Sequence, residues 1–342
     1  MNSRLQTVLK ACLLGGALGD SIGLPSEGMT ARRIARLRPG PLRQALVFGK
    51  GMVSDDTEHA VMTLLSLMDH DRDPRGFSAA LACRLRWWLA SVPAGIGLAT
   101  ARSLVKLWLG FKPAHSGVYS AGNGPLMRTP VIGAWFGDES EKRNEFVRAS
   151  TLITHRDPRA TEAAQMVAHT VALVATGTWS EDEILERLQT DITSDDLRMR
   201  FQKLRECLGA GESVEDYANS ISKKPGFVSG FAPDTACVAI YAWLRHRGDF
   251  RMTVESVVKA GGDTDTVGFV AGSIAGVECG PDHLVPDWLA NLRDWPLHAR
   301  FIERIAAGNW SRYPNWPISL IRNMCFLVIV LTHGFRRLLP PY

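Results

Sequence analysis

Several features that mark specialised proteins are scarce in this sequence. Its six cysteines stand at 12, 83, 207, 237, 279 and 325. None forms a CxxC pair, and the wide spacing offers no zinc or disulfide framework. Reduced thiols in a cytoplasmic protein are the expected state. Charge of one sign is also scarce: 39 basic and 35 acidic residues are intermixed, for a net +4. No basic run carries interleaved aromatics, which argues against a nucleic-acid surface. No Pro/Gly/Ser-rich linker divides the 342 residues, so one globular unit is expected. Long apolar runs are few. Residues 4–19 loosely resemble a signal peptide, but no small-residue cleavage site follows, and Asp20 and Glu27 come next. The nine residues Met324–Thr332 are too short to span a bilayer, which needs about 20. A buried last helix is expected there, with membrane-surface docking through Arg336 and Arg337 as the lesser alternative.

What is present is helical periodicity. Leu5, Val8, Leu9, Cys12 and Leu13 recur at spacings of three and four, as do Ala60, Val61, Leu64, Leu65 and Met68. Residues 161–176 are apolar nearly all round, which predicts deep burial. Residues 181–189, 195–208, 232–246 and 253–259 repeat the helical pattern, and 267–277 are small enough for close helix packing. No set of alternating strands and no repeat period appears. The fold class predicted is all-α.

Two acidic clusters far apart in the chain carry the strongest chemical signal. One is Ser54-Asp55-Asp56-Thr57; the other is Asp263-Thr264-Asp265-Thr266, after Gly261-Gly262. Each precedes a helical stripe, so each could simply cap a helix, and Asp55 with Glu58 resembles a capping box. A cap needs one side chain, however, not two acids among glycines and apolar residues. Carboxylates brought together repel unless a cation neutralises them. Carboxylate and hydroxyl oxygens are hard ligands, suited to Mg²⁺ or Ca²⁺ rather than zinc. The EF-hand frame is absent. A third element, Gly16-Ala17-Leu18-Gly19-Asp20-Ser21-Ile22-Gly23, leads to Glu27; it is not a dinucleotide-binding frame, and no strand precedes it. A fourth, Ser120-Ala121-Gly122-Asn123-Gly124-Pro125-Leu126-Met127-Arg128, can bring backbone N–H groups up to an anion. It can equally be an ordinary turn before a helix. The fifth is Thr154-His155-Arg156-Asp157-Pro158.

In this order the stretches GALGDSIGLPSE, SDDTEHA, SAGNGPLMR, THRDP and GGDTDTVG resemble the ADP-ribosylglycohydrolase family, over residues 15–276. The resemblance implies a single-domain orthogonal bundle of helices with two Mg²⁺ ions in a cleft. It implies a core over 1–280 and a helical extension over 281–342 packed on the same domain. By matching position, Ser54, Asp55, Asp56, Asp263, Asp265 and Thr266 look like metal ligands. Glu27, Asp56 and Asp265 are the candidate catalytic carboxylates. Ser120, Gly122, Asn123, Gly124 and His155 look like substrate-binding residues. Ser54 stands where the family usually has threonine, and the hydroxyl is kept. Ala121 stands where some members have an aromatic residue, so adenine stacking must come from elsewhere.

The activity implied is Mg²⁺-dependent removal of ADP-ribose from modified protein side chains, arginine-linked in the first instance. A rival reading is an immunity protein that occludes an ADP-ribosyltransferase toxin, using Trp288, Trp295, Trp310 and Trp316 of the unmatched tail. Those tryptophans could equally be core. No nucleic-acid partner and no stable membrane span are expected.

Overall fold

The computed structural model describes residues 1–309 and 312–336. Helix starts follow the local chemistry. Asn2 caps α1 (Ser3–Gly23), Ser54 caps α3 (Asp55–His70), and Asp73 caps α4 (Pro74–Ala90), each side chain accepting from an N–H of the first turn. The short α2 (Ala31–Leu37) lies between α1 and α3. There follow α5 (Leu98–Trp108), α6 (Pro113–Ser116), α7 (Thr129–Phe136) and α8 (Ser140–Leu152). The apolar stretch predicted over 161–176 is the inner part of α9 (Pro158–Thr176), where Asp157 caps and Pro158 fills the first turn. The middle of the chain supplies α10 (Glu181–Gln189), α11 (Asp195–Gly209), α12 (Val214–Ile221) and α13 (Ala232–Arg245). After these come α14 (Phe250–Lys259), α15 (Thr264–Cys279), α16 (Pro286–Asn291), α17 (Ala299–Ala306) and α18 (Trp316–Arg336). Asp249 caps α14, so that helix begins three residues before its apolar stripe. Among the described residues the only sheet is a two-residue antiparallel pair, Met29–Thr30 with Gly261–Gly262. The chain is an all-α domain.

The core is organised around α1 and α15. They run antiparallel and make the most extensive helix contact in the molecule. Glycines on both helices allow it. A Cβ on Gly15 would stand 2.3 Å from the Gly272 carbonyl oxygen, and one on Gly19 only 1.9 Å from that of Gly268. No side chain fits there, so the backbones touch. This crossing brings the C-terminal end of α1 to the N-terminal end of α15. Helices α7, α9, α13 and α14 close round the pair, and α13 is buried along nearly its whole length.

The last helix departs from expectation. The residues of α18 that face inward are Ser319, Arg322, Asn323 and Phe326. Arg322 and Asn323 fill that inward stripe because they have buried partners: Arg322 pairs with Asp294 at 2.5 Å, and the Asn323 amide donates to the Ser91 carbonyl at 3.0 Å. The apolar residues Ile321, Met324, Val328, Leu331 and Phe335 are left facing outward and exposed. The Met324–Thr332 segment is therefore a surface element and not a buried helix. The tail tryptophans divide: Trp288 is core, Trp295 and Trp316 are exposed. Trp310 and Arg337 lie outside the described residues.

Candidate active site

The site is built where α1, α3 and α15 meet. Asp20, near the end of α1, is wholly buried. Its carboxylate accepts from the Ser54 N–H (3.0 Å), the Thr57 N–H (3.3 Å) and the Thr57 hydroxyl (2.6 Å). It thus clamps the first turn of α3 from below. Burial pushes the Asp20 carboxyl up to about 7, against the pull of those hydrogen bonds. Above the clamp, Ser54 Oγ accepts from the Asp56 N–H (3.2 Å) and donates to Asp56 Oδ2 (3.0 Å). Thr266, in the first turn of α15, donates its hydroxyl to the same Asp56 oxygen at 3.2 Å. The other oxygen, Asp56 Oδ1, is buried with no hydrogen-bond partner among the described residues. The suggested capping box is absent; Ser54 alone caps α3, and Glu58 looks the other way.

The α15 side repeats the arrangement. Gly262 adopts φ +92°, and a Cβ there would lie 1.9 Å from the Val228 carbonyl oxygen. Only glycine allows the chain to pass this point and present Asp263 to the cleft. Asp263 Oδ2 accepts from the Asn123 amide at 2.8 Å, and that amide also donates to Thr235 Oγ1 at 3.0 Å. Asp265 is buried, while Asp263 and Asp55 are half-buried and Glu27 is exposed at the cleft edge. Burial first, then the neighbouring acids, raises Asp55, Asp56 and Asp265 well above the ordinary carboxylate range. Glu27 acts on both Asp55 and Asp265.

The glycine loop and His155 complete the cleft, joined to the acids through the Asn123–Asp263 bond. The loop runs close to the imidazole: a Cβ on Gly124 would come within 2.9 Å of His155 Cε1, and one on Gly122 within 3.0 Å of Nε2. His155 Nδ1 lies 2.9 Å from Thr154 Oγ1, which accepts from Arg128 Nη2 at 2.7 Å. Arg128 is fully buried and bonded to neutral oxygens of Ser150 as well. Its guanidinium stands within 3.4 Å of His59 Nδ1. Burial, reinforced by Arg128, holds His155 down at about 3 and His59 well below the ordinary histidine range. Both imidazoles are neutral. The walls enclose a cleft of about 490 Å³ lined by Glu27, Asp55, Ser120, Gly122, Asn123, Gly124, His155, Asp263, Asp265 and Thr266. Asp56 sits behind this lining, joined to it through Thr266. Ser54 stands behind it as well, as the cap of α3.

Sequence reasoning missed four parts of the site. Asp20 and Arg128 lie inside the quoted motifs, but nothing in their spacing reveals a clamp or a buried cation. The third part reaches in from the tail. Arg322 donates to the Val53 carbonyl (2.6 Å) while Asp294 accepts from the Val53 N–H (2.9 Å), one residue before the acidic cluster. Glu58 accepts from Trp88 Nε1 (2.8 Å) and the Tyr313 hydroxyl (2.9 Å), with Arg322 at 3.5 Å. Phe227, also unforeseen, lines the cleft.

Among the described residues no group of three Asp, Glu, His or Cys side chains is gathered tightly enough to hold an ion as it stands. The donor chemistry nevertheless fits a hard divalent cation. The carboxylates of Glu27, Asp55, Asp263 and Asp265 and the Thr266 hydroxyl line the cleft with Asp56 and Ser54 just behind them, and no lysine or arginine is among the described residues that line it. Asp56 Oδ1 waits there without a partner.

The sequence pattern of the ADP-ribosylglycohydrolases matches residues 1–315. Over 318 residues the chain is 26% identical to the ADP-ribosylarginine hydrolase Tri1 of Pseudomonas putida, covering 90% of this chain and 78% of that protein. It is 25% identical to the ADP-ribosylhydrolase ARH3 of Gallus gallus, covering 82% and 87%. A solved structure described as an ADP-ribosylglycohydrolase-related protein complex superposes with a TM-score of 0.69 at 25% identity, covering 94% of this chain and 99% of that one. The chain belongs to the ADP-ribosylglycohydrolase family.

Proposed function

We propose that this protein hydrolyses the glycosidic bond joining ADP-ribose to a modified protein side chain, with arginine as the linked residue. The observation that carries the reading is the acid wall itself. Carboxylates from three chain segments share one cleft with a small glycine loop and a neutral histidine. The arginine linkage is supported by the surplus of negative charge, which suits a guanidinium leaving group, and by the likeness to a protein named as an ADP-ribosylarginine hydrolase.

Ser54, Asp55, Asp56, Asp263, Asp265 and Thr266 would hold two Mg²⁺ ions, whose charge and Lewis acidity would offset the repulsion among the acids and polarise ribose hydroxyls. The chain's own residues do the rest. Water attacks the anomeric C1″ as the bond to the side-chain nitrogen breaks, and the sugar passes through oxocarbenium character. Glu27 takes the water's proton, and the departing nitrogen keeps the electron pair and receives a proton in turn, from Glu27 or from solvent, so that the water's OH ends on C1″ and its H on the released side chain. Asp56 and Asp265 hold the negative potential that favours the cationic sugar. The Ser120–Gly124 loop would lie against the diphosphate; within it the Gly122 and Asn123 N–H groups already donate to Ser120 Oγ and the Gly230 carbonyl, which hold the loop in shape. The Thr154 hydroxyl, already accepting from Arg128, donates to His155 Nδ1, so Nε2–H faces the ligand as a donor. Phe227 offers the stacking surface that Ala121 lacks.

The test is release of ADP-ribose, followed by chromatography, from arginine-linked and serine-linked peptides with and without Mg²⁺. Turnover of the arginine-linked peptide only, lost in EDTA, is expected. Release from neither peptide would refute the reading.

A further inference from the structure

We propose that the outer face of α18, together with the Val47–Lys50 turn beside it, docks on the headgroup region of an anionic lipid bilayer. The helix is inside out for a soluble protein. Its inward stripe is mainly polar, while Met324, Val328, Leu331 and Phe335 stand in solvent. Within its 21 residues an 18-residue stretch reaches a mean hydropathy of 1.7 with 22% of it buried, whereas the comparably apolar stretch in Ser3–Ser26 is 83% buried. A continuous exposed apolar face of this kind marks an interaction surface.

A second observation lies next to it. Phe48 is fully exposed at the tip of a turn closed by reciprocal Val47 and Lys50 backbone hydrogen bonds. It holds φ +47°, a left-handed conformation that an aromatic residue rarely adopts. Nothing inside the fold is gained by holding an aromatic ring there. The turn and the helix share one cavity, lined by Arg43 and Phe48 on one side and Ile329 and Arg336 on the other.

Charge selects the occupant. No Asp or Glu follows Glu303, whereas Arg304, Arg312, Arg322, Arg336 and Arg337 do. Arg322 is neutralised internally, and Arg43 and Lys50 flank the Phe48 tip. At the start of the helix Trp316 shares a cavity with Trp87, which packs on Trp108 at 5.4 Å. Half-exposed tryptophans, an apolar stripe and flanking cations form the signature of a helix lying in a membrane interface.

Internal bonds decide between lying on and crossing the bilayer. Arg322 and Asn323 are tied to the body of the protein, and His333 Nε2 approaches the Pro25 carbonyl at 3.1 Å. Among the described residues the helix runs 13 residues beyond Asn323, 324–336, a length of about 20 Å against a hydrocarbon core of about 30 Å. The helix seated on its domain lies along the surface.

The test is co-sedimentation of the full chain with vesicles of phosphatidylcholine alone and with added phosphatidylglycerol. Binding to the anionic vesicles is expected, weakened by about tenfold in high salt or on neutral vesicles. Val328→Glu combined with Leu331→Glu should cut it by about tenfold or more, with the thermal unfolding midpoint kept. Phe48→Asn should also weaken binding while the midpoint holds or rises, because asparagine tolerates the turn. Three results would overturn the proposal: no vesicle binding, binding indifferent to these variants, or a dimer in solution that the double variant dissociates.

Discussion

The Thr266 hydroxyl donates to Asp56 Oδ2 at 3.2 Å, joining residues 210 positions apart in the chain. This bond links the first turns of α3 and α15 and defines the acid wall. It leaves Asp56 Oδ1 buried and unpaired among the described residues. Asp56→Asn should lower turnover by about 100-fold or more, since a ligand and a negative charge are lost together. The same variant, stripped of divalent ions, should unfold at a higher temperature than the parent, because a carboxyl that burial forces to keep its proton is replaced by a neutral amide. Activity within threefold of the parent would count against the assigned role; a lower metal-free midpoint would count against the burial argument.

Divalent ions should stabilise the protein in a pH-dependent way. Burial and neighbouring acids raise Asp55, Asp56 and Asp265. In the folded, metal-free chain these groups hold protons that the unfolded chain has released, so stability falls as pH rises through their folded-state values. An ion competes with those protons. The rise in unfolding midpoint on adding Mg²⁺ should therefore be larger at pH 8 than at pH 5.5. Differential scanning fluorimetry at the two pH values decides it, and an equal or reversed increment removes the carboxylates from the ion's coordination.

His155 should add acid sensitivity. Its imidazole is held at about 3, below the unfolded value of 6.5, first by burial and then by Arg128. Below pH 6.5 the unfolded chain takes up a proton that the folded chain refuses. This contribution is fully present above pH 6.5 and is lost as pH falls, by about 1.4 kcal/mol per unit. Asp20, raised to about 7, acts with the opposite sign over part of the same range. The informative quantity is thus the difference between parent and His155→Gln, measured by urea unfolding at pH 7.5 and pH 5. The variant should lose less stability on acidification, and parallel losses would mean that His155 takes up its proton in the folded chain.

The α1–α15 contact should tolerate no side chain. A Cβ on Gly19 meets the Gly268 carbonyl oxygen at 1.9 Å, backbone that cannot swing aside. Gly19→Ala should cost about 3 kcal/mol or more, at the upper end of overpacking effects. Gly209, in α11, is the control: a methyl group there would meet nothing within 4 Å. Gly209→Ala should stabilise by roughly 0.5–1 kcal/mol from helix propensity. A small cost at Gly19, read from chemical denaturation, would show that the two helices can part.

The helices were legible in the sequence wherever an apolar stripe ran with a capping residue before it, as at Ser54. Period alone misplaced the start of α14, because Asp249 caps it and Phe250 already packs inward. The acid clusters were legible because paired carboxylates among glycines have little structural excuse. Asp20 was not, since its partners are the N–H groups of a turn 34 residues away. Arg322 and Asp294 were hidden for a similar reason: a buried ion pair between distant segments leaves no local pattern. The burial of α18 was misjudged because hydropathy reports what a helix could bury and says nothing of which side its polar residues need.

The glycine contact between α1 and α15 also sets the order in which the site can come into being. The first helix leaves the ribosome roughly 250 residues before its partner, and until then its bare glycine edge has nothing to lie against. No short contiguous piece of the chain contains the site, whose residues run from Asp20 to Thr266. A nascent or truncated chain ending before residue 261 would carry Asp20, Glu27 and Asp56 without the segment that draws them into one wall. Chemistry on the substrate thus begins only once the two ends of this span have closed on each other, a long-range event of the kind that folds slowly.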